Sequence, residues 1–360
     1  QTTKQRRAVD TKYLVYGCLT HRNNFRNAAI RRVPCGGLAD RLLPIPALLE
    51  AAAAMNRTFL LHWDKGVSLE YYLVPPRDGY DWTLPEGLKE QDAWFEAVPF
   101  EWCENGSDQD LRFRCNEAKV VVANKKDAHD IWGSTRAWSG HTTFRDILRA
   151  FFEPTPLVEY LLRLTQTRLG LAPPQKYTAA HVRATYTRFR GTETNDTDHE
   201  VLFRPLLKKT KPWLLNNDEG DDDDVNVDKQ GLLFVGEAKN ITSSWASNAI
   251  RCAHNEAPAL PTFFASDTPN LTSHMITTHY PNVRGRIEAN AVVAHMGHHD
   301  KRGMVPDLFL ATFVDILIMS EAQCVSYGVG GYGRLAALWA GCGVQHRRTD
   351  RENPGMNICF

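Results

Sequence analysis

Residues 177–183 read Tyr-Thr-Ala-Ala-His-Val-Arg, and this stretch indicates the architecture of the second half of the chain. It predicts a strand, with His181 and Arg183 on one face because strand side chains alternate with period two. The carboxyl ends of strands are where α/β sheets bind ligands. Arg183 is suited to hold a phosphate there, since its guanidinium binds two oxygens and keeps its charge. A structural ion pair for Arg183 and a satisfied buried histidine are the alternative.

The rest of the second half alternates strands with helices, which predicts a parallel sheet. The predicted strands are 177–183, 232–236, 261–266, about 290–294 and 322–326, and the clearest helices are 243–254, 269–279, 305–319 and 331–341.

The first half has the same α/β character. Strands are predicted at 13–18, 58–63 and 119–123, a helix at 45–55, two helices within 144–170, and long loops over 66–118. The break Leu-Ala-Pro-Pro-Gln at 171–175 predicts a domain boundary. We therefore expect an N-terminal lobe over 1–172, a C-terminal lobe over 176–345 and a tail over 346–360. The predicted fold class is α/β, with two Rossmann-like lobes whose parallel sheets face a central cleft.

The charge balance excludes a global electrostatic attraction to nucleic acid or lipid. The 360 residues include 42 Lys and Arg against 42 Asp and Glu, which gives a formal net charge of zero. No apolar run reaches the roughly 18 residues that a membrane span needs. Residues 1–12 are polar and do not form a secretory signal, so we expect any signal or membrane anchor to lie upstream of Gln1.

The eight cysteines favour an oxidising compartment. None forms a C-x-x-C pair, so zinc-site spacing is absent. Cys103 and Cys115 flank a polar stretch and are predicted to close it as a disulfide loop, and the pairs Cys18–Cys35 and Cys342–Cys359 could close similar loops. Eight free thiols in a cytosolic enzyme is the alternative. Glycosylation sequons, some of them expected by chance, begin at Asn56, Asn105, Asn195, Asn240 and Asn270.

Two glycine-rich stretches follow predicted strands. Gly-Gly-Leu-Ala-Asp-Arg at 36–41 permits a tight turn, and a structural turn is as well supported as a ligand loop. Gly-Val-Gly-Gly-Tyr-Gly at 328–333 leads into a helix, so its backbone N–H groups suit an anion. Close packing of that helix on the sheet would also explain the glycines.

A third polar strand end is Ser266-Asp267-Thr268, which precedes a helix. Any of the three could cap that helix, and an acidic group there could accept hydrogen bonds from a guanine edge or a ribose. Two candidate metal stretches are not supported. The acidic run 216–224 contains Asp-x-Asp but reads as a solvated insertion, and the histidines of 295–300 have no second ligand cluster.

The order of these motifs, with 315–320 (Asp-Ile-Leu-Ile-Met-Ser) before the second glycine-rich turn, resembles the GDP-fucose-dependent fucosyltransferase superfamily. That superfamily includes α1,6-, α1,2- and protein O-fucosyltransferases, and the resemblance covers about residues 13–343. It implies a GT-B fold, no metal, no cofactor beyond the donor GDP-fucose, and inversion at the anomeric carbon of fucose.

The resemblance also implies residue roles. His181 and Arg183 match a His-x-Arg whose arginine holds the β-phosphate of GDP, and Gly191-Thr192-Glu193 resembles a Gly-Thr-Glu whose glutamate is the catalytic base. Ser266, Asp267 and Thr268 fall on the guanosine-binding strand end. The first-lobe loop that borders donor and acceptor is matched by Gly37, Asp40 and Arg41. Gly330, Gly331 and Tyr332 replace the Ser/Phe-containing phosphate turn of the superfamily and leave backbone amides in place of a hydroxyl donor.

The sequence therefore predicts metal-independent, inverting transfer of fucose to a hydroxyl of a glycan or glycoprotein. Arg183 and the backbone amides of the turn would stabilise the leaving phosphate, Glu193 would act as base with Asp40 as the next candidate, and His181 would orient the nucleotide or Arg183. The alternatives are a different sugar nucleotide or a glycan-binding protein without turnover.

We expect no nucleic-acid partner, a membrane contact only through an anchor, and residence in the secretory lumen, namely the Golgi. Sugar stacking or core packing is open for the first-lobe aromatics Trp63, Trp82, Trp94, Trp102, Tyr71 and Tyr72.

Overall fold

The computed structural model describes residues 11–18, 36–63, 67–89, 96–104, 109–124, 141–183, 236–279, 281–286, 306–328, 330–346 and 359. The chain divides into two compact units. The first comprises Gln1–Leu161 and His295–Phe313, and the second comprises Leu162–Ala294 and Val314–Phe360. Residues 295–313 thus belong to the first unit, although in sequence they lie within the predicted C-terminal lobe.

The first unit contains a four-stranded parallel sheet in the order β2-β1-β5-β4 and a two-stranded antiparallel pair, β3-β6. Its strands are β1 (Tyr13–Cys18), β2 (Thr58–Trp63), β3 (Leu73–Val74), β4 (Val98–Pro99), β5 (Val120–Ala123) and β6 (Glu153–Pro154). The helices up to the unit boundary are α1 (Leu38–Leu42), α2 (Ile45–Ala54), α3 (Glu86–Lys89), α4 (Glu101–Glu104), α5 (Gln109–Glu117), α6 (His141–Phe151) and α7 (Pro156–Leu169), with a 3-10 turn at Leu69–Tyr71.

The core of the first unit includes a segment that is distant in sequence. The ring of Tyr72 stacks on that of Phe313 with centroids 4.1 Å apart. The hydroxyl of Tyr72 donates a hydrogen bond to the carbonyl oxygen of Pro306 at 2.6 Å. Because Tyr72 has no exposed surface, these late residues complete a core that residues 13–161 begin.

The second unit contains a five-stranded parallel sheet in the order β11-β10-β7-β8-β9. Its strands are β7 (Thr178–Val182), β8 (Thr262–Ser266), β9 (Val283–Arg284), β10 (Val325–Tyr327) and β11 (Gly343–Gln345). The helices are α8 (Gly236–Glu256), α9 (Pro269–His279), α10 (Leu310–Ser320), which begins in the first unit, and α11 (Gly331–Ala340). The 3-10 turn at Pro306–Phe309, which precedes α10, belongs to the first unit.

Strand β7 lies at the centre of this sheet, and every one of its residues is buried. Ala180 and Val182 pack in one apolar cluster with Ala249 of α8 and Phe264 of β8, as expected for a strand that is covered on both faces. The chain continues from β7 to β8 on one side and later returns to β10 on the other. The topological switch point of the described strands is therefore between β7 and β10, the place where open α/β sheets bind ligands.

Most predicted elements are confirmed within a residue or two, and four predictions differ by more. Helix α8 begins at Gly236, before the predicted start at 243, and the helix predicted at 305–319 begins as a 3-10 turn at Pro306 and is α-helical from Leu310. The strand expected at 322–326 begins three residues later, at Val325, because α10 continues to Ser320 and a turn follows it. The region 66–118 is not a set of long loops, since it carries α3, α4, α5 and short strands. The strands predicted at 232–236 and 290–294 lie outside the described residues, apart from Gly236, which begins α8.

The disulfides confirm one predicted pairing and correct another. Cys103 is bonded to Cys115, although Cys115 belongs to helix α5 rather than to a loop. Cys342 is bonded to Cys324, and Cys359 to Cys252, so the predicted pair Cys342–Cys359 is wrong. The reason is strand register: Val325 lies opposite Gly343, which places the two preceding cysteines side by side with Cα atoms 4.7 Å apart. Cys18 is also in a disulfide, and Cys35 lies outside the described residues.

No helix among the described residues is both long and apolar enough to cross a membrane. Within the same part of the chain, a single group has metal-ligand distances: Glu256, Cys324 and Cys342. The two cysteines of this group are joined as a disulfide, so neither offers a thiolate to a metal ion.

Candidate functional site

The carboxyl edge of the second sheet brings three predicted motifs together. His181 of β7 lies opposite Tyr327 of β10 on one side and Ala265 of β8 on the other. The residues that follow these strands therefore meet at one edge of the sheet. They are Arg183, the polar stretch 266–268, and the glycine-rich turn that begins at Gly328.

The glycines of the turn 328–334 make room for side chains from β7. A Cβ atom added to Gly330 would lie 3.3 Å from Cδ of Arg183, and one added to Gly333 would lie 2.8 Å from Nδ1 of His181. Gly330 also has φ +106°, a value that side chains other than glycine rarely adopt. Both explanations of the glycines thus have support: they allow close packing, and they bring Arg183 alongside the backbone at the start of α11.

The start of α11 is not capped by any described side chain. Its N-cap residue is Gly330, which has no side chain, and no side chain in the described part of the chain makes a capping hydrogen bond there. The first N–H groups of a helix have no partner within the helix and carry partial positive charge. A negatively charged group beside Arg183 would meet these N–H groups.

His181 is a neutral, buried imidazole. Burial, and to a lesser degree the positive charge of Arg183, lowers the pKa of His181 to about 3. Its Nδ1 atom is buried without a hydrogen-bond partner, and its ring lies 5.2 Å from that of Tyr332. At neutral pH His181 therefore adds no charge to the site and is a weak base, but it offers a polar atom to a ligand or to a water molecule.

A buried ion pair lies near the same helix. Nη1 of Arg286 is 3.3 Å from Oδ1 of Asp315, and both side chains are largely buried. Burial raises the pKa of the Tyr332 phenol well above its ordinary value, and the negative charge of Asp315 adds to this rise. Tyr332 is therefore a neutral hydroxyl at neutral pH.

The strand end 266–268 is a local turn that leads into α9. The hydroxyl of Ser266 accepts a hydrogen bond from the N–H of Thr268 at 3.2 Å and donates one to the carboxylate of Asp267 at 3.4 Å. The carbonyl oxygen of Thr268 accepts the N–H of Leu271, so Thr268 holds the N-cap position of α9. Its Oγ1 is nevertheless buried without a hydrogen-bond partner, and it is the second such oxygen or nitrogen atom at this edge after Nδ1 of His181.

The glycine-rich turn of the first unit is closed by its own charged side chains. Gly36 has φ +70°. The N–H of Gly37 donates to Oδ2 of Asp40 at 3.0 Å, and Nε of Arg41 donates to the carbonyl oxygen of Gly36 at 3.1 Å. Arg41 is only 1% exposed, and its guanidinium lies 5.6 Å above the ring of Trp63. Both charges thus support the turn, while the donor-bordering roles of Gly37, Asp40 and Arg41 stay predictions.

The first-lobe aromatics are mainly core residues. Trp63, Trp82 and Tyr72 are buried, and Nε1 of Trp82 donates to the carbonyl oxygen of Phe151. Tyr71 is more accessible, and its hydroxyl donates to the carboxylate of Asp307 at 2.8 Å. Core packing is therefore the role that the structure gives to Trp63, Trp82 and Tyr72, and Trp94 lies outside the described residues.

Of the remaining predicted site residues, Glu193 lies outside the described residues, as do the acidic run 216–224 and the histidines of 295–300. Sequence reasoning assigned no role to His346, a buried residue that packs against Gly328. No pattern in the sequence announces this contact, since His346 follows a strand of three residues and meets Gly328 only through the pairing of β10 with β11. The Arg286–Asp315 pair was also missed, because it joins Arg286, which follows the short strand β9, to helix α10, and no sequence pattern links the two.

Comparison with solved structures supports the fold. The chain aligns with a mutant of FUT1 from Arabidopsis thaliana in complex with GDP at a TM-score of 0.51 and 11% identity, over 95% of this chain and 71% of that one. NodZ α-1,6-fucosyltransferase soaked with GDP-fucose aligns at a TM-score of 0.48 and 12% identity, over 97% and 99% of the two chains. POFUT1 in complex with GDP aligns at 0.42 and 11%, over 93% and 98%. No family model and no curated sequence matches. The FUT1 likeness confirms the predicted GT-B fold of two α/β units.

Proposed function

We propose that the protein is a glycosyltransferase that binds a guanosine-diphosphate sugar, GDP-fucose, at the carboxyl edge of the second sheet. The observation that carries this proposal is the meeting of Arg183 with the uncapped start of α11 at the switch point between β7 and β10. A fixed cation beside helix N–H groups is suited to a diphosphate. The GT-B fold and the GDP complexes of FUT1 and POFUT1 make guanosine diphosphate the nucleotide to test first.

The reaction we propose is an inverting transfer. The oxygen of an acceptor hydroxyl attacks the anomeric carbon of the sugar, the bond from that carbon to the β-phosphate oxygen breaks, and a base takes the hydroxyl proton. Negative charge grows on the departing phosphate, where Arg183 and the amides of the turn stabilise it. Preorganised donors of this kind contribute roughly 3–4 kcal/mol each in known oxyanion sites, so the residues present supply the charge stabilisation without a divalent ion.

Nucleotide binding tests the proposal directly. We expect calorimetry in the presence of EDTA to show GDP binding, with UDP and ADP binding at least tenfold more weakly. Hydrolysis or transfer of fucose from GDP-fucose would then separate an enzyme from a glycan-binding protein. Binding of UDP in preference to GDP indicates a different sugar nucleotide, and a complete requirement for Mn²⁺ or Mg²⁺ contradicts metal-independent transfer.

We propose Glu193 as the base because its carboxylate can accept the acceptor proton and because Gly191-Thr192-Glu193 resembles the catalytic motif of core α1,6-fucosyltransferases. Glu193→Gln should lower kcat by about 10²–10⁴-fold and leave the affinity for GDP unchanged. If the variant keeps more than a tenth of wild-type turnover, Glu193 is not the base, and Asp40→Asn is the next variant to measure.

The acceptor and the compartment are part of the same proposal. We propose a glycan or glycoprotein acceptor and residence in the lumen of the secretory pathway, in the Golgi. The described cysteines support the compartment, because all of them are in disulfides, which persist in oxidising environments. A glycan array supplied with GDP-fucose would identify the acceptor.

A further inference from the structure

Gly328, the first glycine of the turn 328–334, is glycine for a reason that its backbone does not explain. Its φ is not among the positive values of the described glycines. A Cβ atom at this position would lie 2.6 Å from Nε2 of His346 and 3.3 Å from Cδ2 and Cε1 of the same ring. The imidazole of His346 therefore occupies the space that a side chain of residue 328 would need.

His346 is held in this place from several sides. Its N–H donates to the carbonyl oxygen of Tyr327 at 3.0 Å, which extends the β10–β11 ladder by one residue. Nδ1 of the ring is 3.0 Å from the hydroxyl of Ser326, a fully buried residue. On the other side, the backbone of His346 pairs with Cys359, and the Cys252–Cys359 disulfide fixes Cys359 to α8.

The ring therefore lies against the start of a turn whose later glycines contact the predicted donor-binding residues. Gly330 lies against Arg183, and Gly333 lies against His181. Since Gly328 is only two residues before Gly330, a shift at Gly328 moves the backbone that faces Arg183. A displacement of about 1 Å is enough to lower the rate of an oriented reaction by up to about 10²-fold.

We propose that His346 is a positioning residue of the donor site. The hydrogen bond with Ser326 sets the orientation of the imidazole, and the imidazole sets the position of Gly328 and of the turn that follows. This inference rests on the proposed function, because it takes the turn to be the phosphate site. Supporting hydrogen bonds of this kind orient the groups that contact a ligand directly.

The decisive test is a pair of substitutions that restores the fit. Gly328→Ala places a methyl group against the ring and should weaken GDP binding by about 10- to 100-fold. His346→Asn removes the ring atoms that face Gly328, while its amide can still bond the hydroxyl of Ser326. The double variant should therefore bind GDP more tightly than Gly328→Ala alone and recover most of the loss. A structural role alone would lower the melting temperature further in the double variant and would give no such recovery.

A matched control is available in the same unit. His279, at the last position of α9, also has a ring nitrogen near a serine hydroxyl, with Nε2 3.3 Å from Oγ of Ser247. His279→Asn should leave GDP affinity at the wild-type value. Ser326→Ala, which keeps both the ring and the glycine, should weaken GDP binding less than Gly328→Ala does.

The outcomes separate the two proposals. Wild-type protein that does not bind GDP overturns the proposed function. Wild-type protein that binds GDP, with Gly328→Ala binding it equally well, overturns only the role of His346. The same conclusion follows if Gly328→Ala weakens binding and His346→Asn recovers none of it.

Discussion

The two glycine-rich turns, 36–41 in the first unit and 328–334 in the second, differ in whether their own side chains form hydrogen bonds to their backbone groups. In the first turn, the N–H of Gly37 bonds the carboxylate of Asp40 and the carbonyl oxygen of Gly36 bonds Arg41. In the second, the side chains that pack on the glycines come from other strands, and no described side chain caps the helix at Gly330. Two glycine-rich stretches thus give one turn that is bonded by its own charged side chains and one that leads into a helix without a described side-chain cap.

Because the turns differ in this way, we expect substitution of the arginine beside each turn to have a different effect. Arg41 is buried and bonded to the turn backbone, so its loss should be felt as lost stability. Arg183 lies alongside Gly330 at the end of β7, so we expect its substitution to lower turnover rather than stability. Each of the following predictions can contradict this contrast or make it quantitative.

The largest effect is expected for Arg183→Ala. Turnover of GDP-fucose should fall by about 10³-fold, because one preorganised donor to the developing charge is lost, while the melting temperature stays near that of the wild type. Arg183→Lys should recover little, since an ammonium lacks the two-pronged geometry of a guanidinium. A lysine variant with near wild-type turnover would show that Arg183 is only a counter-charge.

Arg41→Ala should act on stability. Its removal leaves the partly buried carbonyl oxygen of Gly36 without this charged donor, and we expect the free energy of unfolding to fall by about 2 kcal/mol. Arg114→Ala is the control, because Arg114 forms an exposed pair with Asp110 on α5 and should change stability by less than about 0.5 kcal/mol. Chemical denaturation of the three proteins measures this, and equal stability of wild type and Arg41→Ala would refute the structural role.

Gly330→Ala and Gly36→Ala compare the turns at their left-handed residues. Both positions have positive φ, +106° and +70°, and each alanine should cost about 1–3 kcal/mol of backbone strain. At Gly330 the new methyl also meets Arg183, so GDP affinity should fall by about tenfold or more. At Gly36 the cost should appear in the unfolding transition instead. Calorimetric titration with GDP, together with thermal unfolding, distinguishes the two results.

Over a single pH unit, the smallest expected effect is a pH dependence of stability from His181. Its pKa is lowered to about 3 in the folded protein by burial, against about 6.5 in an unfolded chain. Between these values the unfolded chain binds the proton and the folded protein does not. Stability is therefore complete above about pH 6.5 and falls by about 1.4 kcal/mol per pH unit as the pH is lowered towards 3. His181→Gln should remove this slope, and an unchanged slope between pH 6 and 5 would assign it to other groups.

The sequence was sufficient for the local elements and for the edge at which they meet. The apolar run of β7 and the alternation around it predict a parallel sheet, and parallel strands end at a common edge. His181, Arg183 and Gly330 could therefore be placed together before any coordinates were known. This placement could be predicted because it depends only on the direction of the parallel strands and on the alternation of side chains along β7.

Contacts that depend on register could not be predicted in the same way. The Cys324–Cys342 disulfide follows from the pairing of Val325 with Gly343, and the sequence had placed Cys324 inside a strand that begins only at Val325. A signal was present, because strands joined by a single helix are usually adjacent and parallel, and each cysteine comes just before such a strand. The packing of His346 on Gly328 has no such signal, since β11 is too short to be recognised from its composition.

The stacking of Tyr72 on Phe313 has a consequence for biosynthesis. Tyr72 and the carbonyl oxygen of Pro306 that it bonds are 234 residues apart, and Leu162–Ala294 of the second unit lies between them. At a synthesis rate of roughly 5–20 residues per second, Tyr72 waits about 10 to 50 s for this partner segment. During that time most of the second unit has already left the ribosome. The first unit therefore cannot finish folding before residues Leu162–Ala294 of the second unit have been synthesised. The ring of Tyr72 needs protection from aggregation during that interval.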